Sequence, residues 1–185
     1  MFEGLSFELA ERQLALIVGP NGVGKTTLLR VLAGLAPPSA GTITWHGAPV
    51  AALPQERRAE IAYRGHLDGL KRDLTVRENL QFHADIWGGG SDISELLSEL
   101  KLTDAADLRV RNLSAGQRRR TALATLRLTN AKLWVLDEPS TNLDADGRAT
   151  VVDWARRHLA AGGTAVIATH QPEEFSAPGA VVIEI

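Results

Sequence analysis

Eight residues near the start of the chain, Gly19-Pro20-Asn21-Gly22-Val23-Gly24-Lys25-Thr26, fit the pattern G-x-x-x-x-G-K-[ST]. That spacing serves one chemistry well, the holding of a polyphosphate. Glycines let the backbone bend so that successive amides point inward, and a helix that opens at the end of the loop adds its dipole. Lys25 is expected to reach the β- and γ-phosphates, and the Thr26 hydroxyl to ligate Mg²⁺, with Thr27 next along the helix. A second group, Leu133-Trp134-Val135-Leu136-Asp137-Glu138, is an apolar run that ends in two carboxylates. Asp137 is suited to hold the Mg²⁺. Glu138 is placed to orient, or take a proton from, the water that attacks the γ-phosphorus. The pentapeptide Leu113-Ser114-Ala115-Gly116-Gln117 is a further anion site in outline, a serine hydroxyl and small residues at a helix start. His170 follows the apolar run Thr164 to Thr169 and can donate to a phosphate as a neutral imidazole.

Chemistry of this kind needs elements that deliver it to one edge. Leu14 to Val18 is continuously apolar, as a strand covered on both faces should be, and it runs straight into the glycine loop. Leu28, Leu29, Val31, Leu32 and Leu35 then mark a helix that ends near Gly34 to Pro38. Leu133 to Leu136, Thr164 to Thr169 and Ala180 to Ile185 are further strands, and Asp146 to Leu159 is a helix between two of them. Strands alternating with helices at both ends of the chain imply an α/β fold with a parallel sheet there. Leu5 to Leu9 alternates as a half-buried strand does, and Thr42 to His46 before Gly47 suggests a short strand and turn. Thr75 to Glu78 is a capping box opening a helix through Phe82 and Ile86. Gly88-Gly89-Gly90-Ser91 is a flexible break, after which Ile93, Leu96, Leu97 and Leu100 recur at helical spacing. Ser114 can cap a long helix through Leu126. The stretch from about Thr75 to Asn112 is expected to be helical throughout. With the pentapeptide's helix it makes an inserted helical subdomain at about residues 75–125 of a single domain, 1–185. No internal repeat is visible.

Bulk properties narrow the function classes. At 185 residues, with 44% hydrophobic and 23% charged content, the chain suits one folded domain and not a disordered one. A net charge of −2 gives no push towards nucleic acid, although Arg118-Arg119-Arg120 is a local basic run that could make contacts. Absence of cysteine excludes a disulfide scaffold and cysteine-bound metal, and fits a reducing compartment. No stretch approaches the ~18 apolar residues that would cross a bilayer, and the start lacks a secretory signal's order. Service at a membrane would therefore require an integral partner.

In order along the chain, these groups resemble the motifs of the ATP-binding subunit of ABC transporters. Residues 19–26 resemble Walker A, 113–117 the signature motif and 133–138 Walker B. Ser140-Thr141-Asn142-Leu143-Asp144 resembles the D-loop, and Thr169-His170 the switch histidine. The resemblance implies a P-loop NTPase with a RecA-like, mostly parallel sheet core, a small antiparallel β subdomain and an inserted α-helical subdomain. It also implies a head-to-tail homodimer on ATP binding, each ATP lying between one Walker A and the partner's signature helix. Carried over, Ser114, Ala115, Gly116 and Gln117 contact ATP held by the other subunit, Asp144 lies at the dimer seam, and His170 touches the γ-phosphate. Glu138, His170 and Lys25 are the catalytic set.

Two departures stand out. Where the family usually carries a glutamine that contacts Mg²⁺ and relays to the membrane partner, this chain has His66 in Tyr63-Arg64-Gly65-His66. The family also stacks adenine on an aromatic residue ahead of the strand containing Leu5. Phe2 is the one candidate, so either an N-terminal strand lies outside this sequence or adenine is held weakly. Gly-His, Gly-Leu-Lys, Leu-Thr-x-x-Glu-Asn-Leu and Leu-Ser-Ala-Gly-Gln are similar to a narrower branch, the CcmA ATPases of cytochrome c maturation, also called heme exporters. That branch implies a CcmB-like integral subunit with a CcmC-like protein, and a peripheral place on the cytoplasmic face of the bacterial inner membrane. No nucleic acid partner is expected. No heme is expected on this chain, because none of its five histidines sits in a Cys-x-x-Cys-His setting. An ATPase of another small-substrate exporter is the alternative, and a soluble ABC-type ATPase acting on ribosomes or DNA a further one.

Overall fold

Four of the six segments that the sequence marks as strands are carried into one sheet. The computed structural model describes residues 4–88 and 92–185. Its described residues fall into two units: those up to Gly65 with Ala131–Pro139 and Ala155–Ile185, and those of 66–130 with Ser140–Trp154.

The first unit holds a five-stranded sheet built from β1 (Leu14–Val18), β4 (Ile61–Arg64), β5 (Leu133–Asp137), β6 (Thr164–Ala168) and β7 (Val181–Glu184). Their order is β4-β5-β6-β1-β7, and every neighbouring pair is parallel. Registers of Ile17 with Ala168 and of Asp137 with Ala168 bring the carboxyl ends of β1, β6 and β5 level. Helix α1 (Lys25–Leu32) packs on β5 and β6, so Leu28 and Leu29 join Ile17, Val135 and Val166 in the core. A two-residue pair, β2 (Thr44–Trp45) and β3 (Ala48–Pro49), forms a small antiparallel hairpin, and α2 (Gln55–Arg58) precedes β4.

The second unit is helical. Helix α3 (Val76–Trp87) starts at a reciprocal box: Thr75 Oγ1 accepts from the Glu78 amide at 3.1 Å, and Glu78 Oε2 accepts from the Thr75 amide at 2.8 Å. α4 (Ile93–Glu99) and α5 (Ala115–Arg127) pack with it, burying Leu80, Leu96, Leu97 and Leu123. Buried Asn79 fixes the loop before α3, accepting from the Lys71 amide at 2.8 Å and donating to the carbonyls of Lys71 and Thr75 at 3.0 and 2.8 Å. α6 (Ala145–Ala160) follows β5.

Three expectations need correcting. Leu5 to Leu9 keeps its alternating burial, with Leu5, Phe7 and Leu9 on the core, but it joins no ladder among the described residues. Alternation reports which side is covered and not whether a neighbouring strand is there to pair. The strand expected over Thr42 to His46 shrinks to Thr44–Trp45, because His46 and Gly47 both take positive φ to turn the hairpin. The stretch from Thr75 to Asn112 is not helical throughout: beyond α4 it holds only short 3₁₀ turns, and Thr75 bridges Arg109 as extended chain. Of the expected break at Gly88 to Ser91, Gly88 ends α3 with φ +63°, and residues 89–91 lie outside the described residues, as does Phe2.

Candidate active site

The cradle leaves β1 at Gly19, where the chain must turn hard against the end of β7. A side chain there would bring its Cβ to 2.3 Å from the Ile185 carbonyl oxygen at φ +156°, so only glycine fits. Gly24 caps α1 without any side-chain bond, so no cap side chain occupies the first-turn amides at a helix start suited to an anion. Pro20, Asn21 and Gly22 are exposed, Val23 is half-buried, and Thr26 and Thr27 open onto the surface. Lys25 is buried and curls back over the loop, its ammonium donating to the carbonyls of Gly19 at 2.7 Å and Pro20 at 3.1 Å. A buried ammonium needs such partners, and they hold it above the loop's mouth.

The acidic strand end meets the cradle directly. Thr26 Oγ1 donates to Asp137 Oδ2 at 2.6 Å, across 111 residues of sequence. Glu138 follows with φ +48°, a left-handed conformation costing about 1 kcal/mol, and its amide is tied to the Ala168 carbonyl at 2.9 Å. That turn carries its carboxylate towards the end of β6, where His170 Nε2 lies 3.2 Å from Glu138 Oε1. The histidine side chain is 47% exposed and the glutamate 17%, with the facing oxygen, Glu138 Oε1, buried. Lys25, Thr26, Asp137, Glu138 and His170 thus share one sheet edge, where ligands bind in open α/β sheets.

The remaining sequence-marked residues belong to the second unit. Ser114 caps α5, accepting from the Gln117 amide at 3.2 Å, while Gln117 Oε1 accepts from the Ser114 amide at 2.9 Å. Ser114 and Ala115 are exposed and Gly116 is half-buried. A hydroxyl used as a cap acceptor still has its own proton to donate. Asp144 caps α6 by accepting from the Gly147 amide at 2.9 Å. That bond, then the Arg120 guanidinium, holds its carboxyl below the usual carboxylate range. His66 is exposed in the bend after β4.

The basic run 118–120 is not a solvated patch. Arg119 is buried, Arg118 donates to the Leu113 carbonyl at 2.6 Å, and Arg120 grips Asp144. Inspection of the sequence also passes over Arg64. It closes β4 in register with Leu136, donates to the Tyr63 carbonyl at 2.8 Å, and burial pushes its guanidinium down to about 10. The available signal was a lone cation ending the apolar run Ile61-Ala62-Tyr63.

Chemically, the first unit offers amides and an ammonium for phosphates, a hydroxyl and a carboxylate 2.6 Å apart, and a carboxylate–imidazole pair. Mg²⁺ suits such a donor set, since it keeps most of its water and takes one or two protein oxygens beside phosphates. Among the described residues no group of three or more His, Cys, Asp or Glu side chains could cage an ion by itself.

Comparison with known proteins agrees in kind. The family model described as ABC transporter matches residues 2–141. A cytochrome c biogenesis ATP-binding export protein CcmA from Ruegeria pomeroyi is 50% identical over 170 residues, covering 92% of this chain and 78% of the relative. The protein of the same name from Rhodospirillum rubrum is 45% identical over 186 residues, covering 100% and 79%. Among solved structures, an ABC transporter ATP-binding protein from Pyrococcus furiosus superposes with a TM-score of 0.76 at 25% identity, covering 95% of this chain and 86% of that one.

Proposed function

Because this chain belongs to the ABC transporter ATP-binding family, in the CcmA branch, we propose that it hydrolyses ATP to drive heme export or handling in c-type cytochrome biogenesis. The observation that carries the catalytic part is the 2.6 Å bond joining Thr26 of the cradle to Asp137 of the acidic strand, beside the Glu138–His170 pair. In this reading Gly19 to Thr27 bind the triphosphate, and Lys25 exchanges its loop carbonyls for phosphate oxygens. Thr26 and Asp137 hold Mg²⁺, which when bound neutralises charge on the β- and γ-phosphates. Glu138 orients the attacking water and receives its proton. His170, with Nε2 already 3.2 Å from Glu138 Oε1, has one N–H as a neutral imidazole and turns it to the γ-phosphate when ATP is bound. His66, in place of the family's glutamine, is the further candidate metal contact.

Each site is completed by Ser114, Ala115, Gly116 and Gln117 of a second copy, with Asp144 at the seam. An integral CcmB-like subunit and a CcmC-like protein are the partners, on the cytoplasmic face of the inner membrane. Support for this branch comes from the relatives' names and from the Gly-His and Leu-Ser-Ala-Gly-Gln segments.

Glu138→Gln tests the mechanism. The variant is expected to bind ATP and to dimerise with it, while turnover falls by about 10²-fold or more. Wild-type turnover would remove Glu138 from its role.

A further inference from the structure

Helix α5 and the loop before α6 belong to the same unit, and they are fastened to each other at two points one helical turn apart. Gly116 and Arg120, four residues apart, lie on one face of α5. At Gly116 an added Cβ would stand 3.0 Å from the Asn142 carbonyl oxygen, so the helix start presses on the loop backbone. At Arg120 one guanidinium nitrogen donates to Asp144 Oδ2 at 2.5 Å, and another donates to the Leu100 carbonyl at 3.2 Å. The Arg120 side chain is 14% exposed and that of Asp144 59%, so the pair opens to solvent on the aspartate side while two acceptors fix the guanidinium. Asp144 spends its other oxygen capping α6 through the Gly147 amide at 2.9 Å. One arginine therefore ties the end of α4, the middle of α5 and the start of α6.

From this we infer that Arg120 is a positioning residue, locking Ser114–Gln117 to the loop 140–144 so that both meet an opposing subunit's nucleotide as one body. The inference rests on the shared-site reading given above. Ser114 and Gly116 must reach a neighbour's triphosphate, and Asp144 must reach the seam, at the same instant. A loop free to drift from the helix would make those two events independent and each dimer weaker. A lysine could offer charge but not the two-pronged grip on Asp144 and Leu100.

The experiment uses the full chain in the Glu138→Gln background, with Mg-ATP, reading the dimerisation constant by sedimentation and ATP affinity at concentrations where the chain is monomeric. Arg120→Gln is expected to weaken ATP-driven dimerisation by about tenfold while monomer ATP affinity stays unchanged. Arg120→Lys should recover part of the loss, and Arg120→Gln with Asp144→Asn should be no weaker than the worse single variant. Dimerisation as tight as in Glu138→Gln alone, or losses that simply multiply, would overturn the inference. Should Arg120→Gln not fold, Arg120→Lys carries the same comparison, and undiminished dimerisation there overturns it equally. If Glu138→Gln alone binds ATP and never dimerises, the shared-site reading fails and the inference falls with it.

Discussion

His170 and Glu138 are the side chains whose meeting decides most. Each lies just past the end of a different strand, and a left-handed turn at Glu138 brings them to 3.2 Å. Because the imidazole touches the carboxylate as well as facing the triphosphate's place, its removal should slow chemistry more than binding. His170→Ala is expected to lower kcat by about 10²-fold and leave ATP affinity within about threefold, checked by steady-state kinetics beside direct nucleotide titration. An equal loss in both would make the histidine a binding group instead. Lys25, buried and tied to two loop carbonyls, is the contrasting case: if it contacts the phosphates as proposed, its removal is expected to cost ATP affinity as well as turnover.

At the scale of elements, the end of α6 carries a pH dependence. His158 stacks flat on Trp134 of β5, with ring centroids 4.1 Å apart, and its Nε2 lies 3.2 Å from the carbonyls of both Lys132 and Thr164. Burial pushes its pKa below the ordinary 6.5, although the two carbonyls pull the other way. Above pH 6.5 the ring is neutral folded or unfolded and contributes no slope. As pH falls below 6.5 the unfolded chain takes up the proton first, so stability drops until the folded-state value is passed. His158→Phe should flatten the fall in melting temperature as pH drops below 6.5, relative to wild type, in thermal denaturation.

Elements were also where the sequence was most and least legible. β1 and β5 could be read because burial on both faces writes an unbroken apolar run, α3 because its box needs particular residues three apart, and α5 because Ser114 marks a capped start. β4 escaped notice: four residues ending in Arg64 carry too little pattern. Leu5 to Leu9 misled for the reason already given, that periodicity names a side and not a partner. Arg120's bond to Asp144 spans 24 residues and two elements, and only the four-residue spacing from Gly116 hinted at a shared face.

Taken as a molecule, the chain carries Lys25, Thr26, Asp137, Glu138 and His170 in its sheet unit and Ser114 in its helical unit. Among the described residues no helix is long and apolar enough to cross a membrane. If an integral subunit recruits it, binding is a protein contact and should yield to conditions that break such contacts. In cells of its own host, the chain is expected in the membrane fraction and is expected to leave it on alkaline wash, read by immunoblot. Recovery wholly in the soluble fraction of partner-containing cells would favour the ribosome- or DNA-acting alternative.

The sheet order puts β6 at the centre, with β5 on one side and β1 on the other. Its backbone amides and carbonyls are therefore guarded on both flanks, and all five of its residues are buried. Local fraying can take β4 or β7 at the edges and leave β6 untouched. The carboxylate strand and the glycine-loop strand are both bolted to that innermost rung. Partial melting should thus erode the rim long before it disturbs the spacing on which turnover depends, and inactivation by heat should coincide with collapse of the whole sheet.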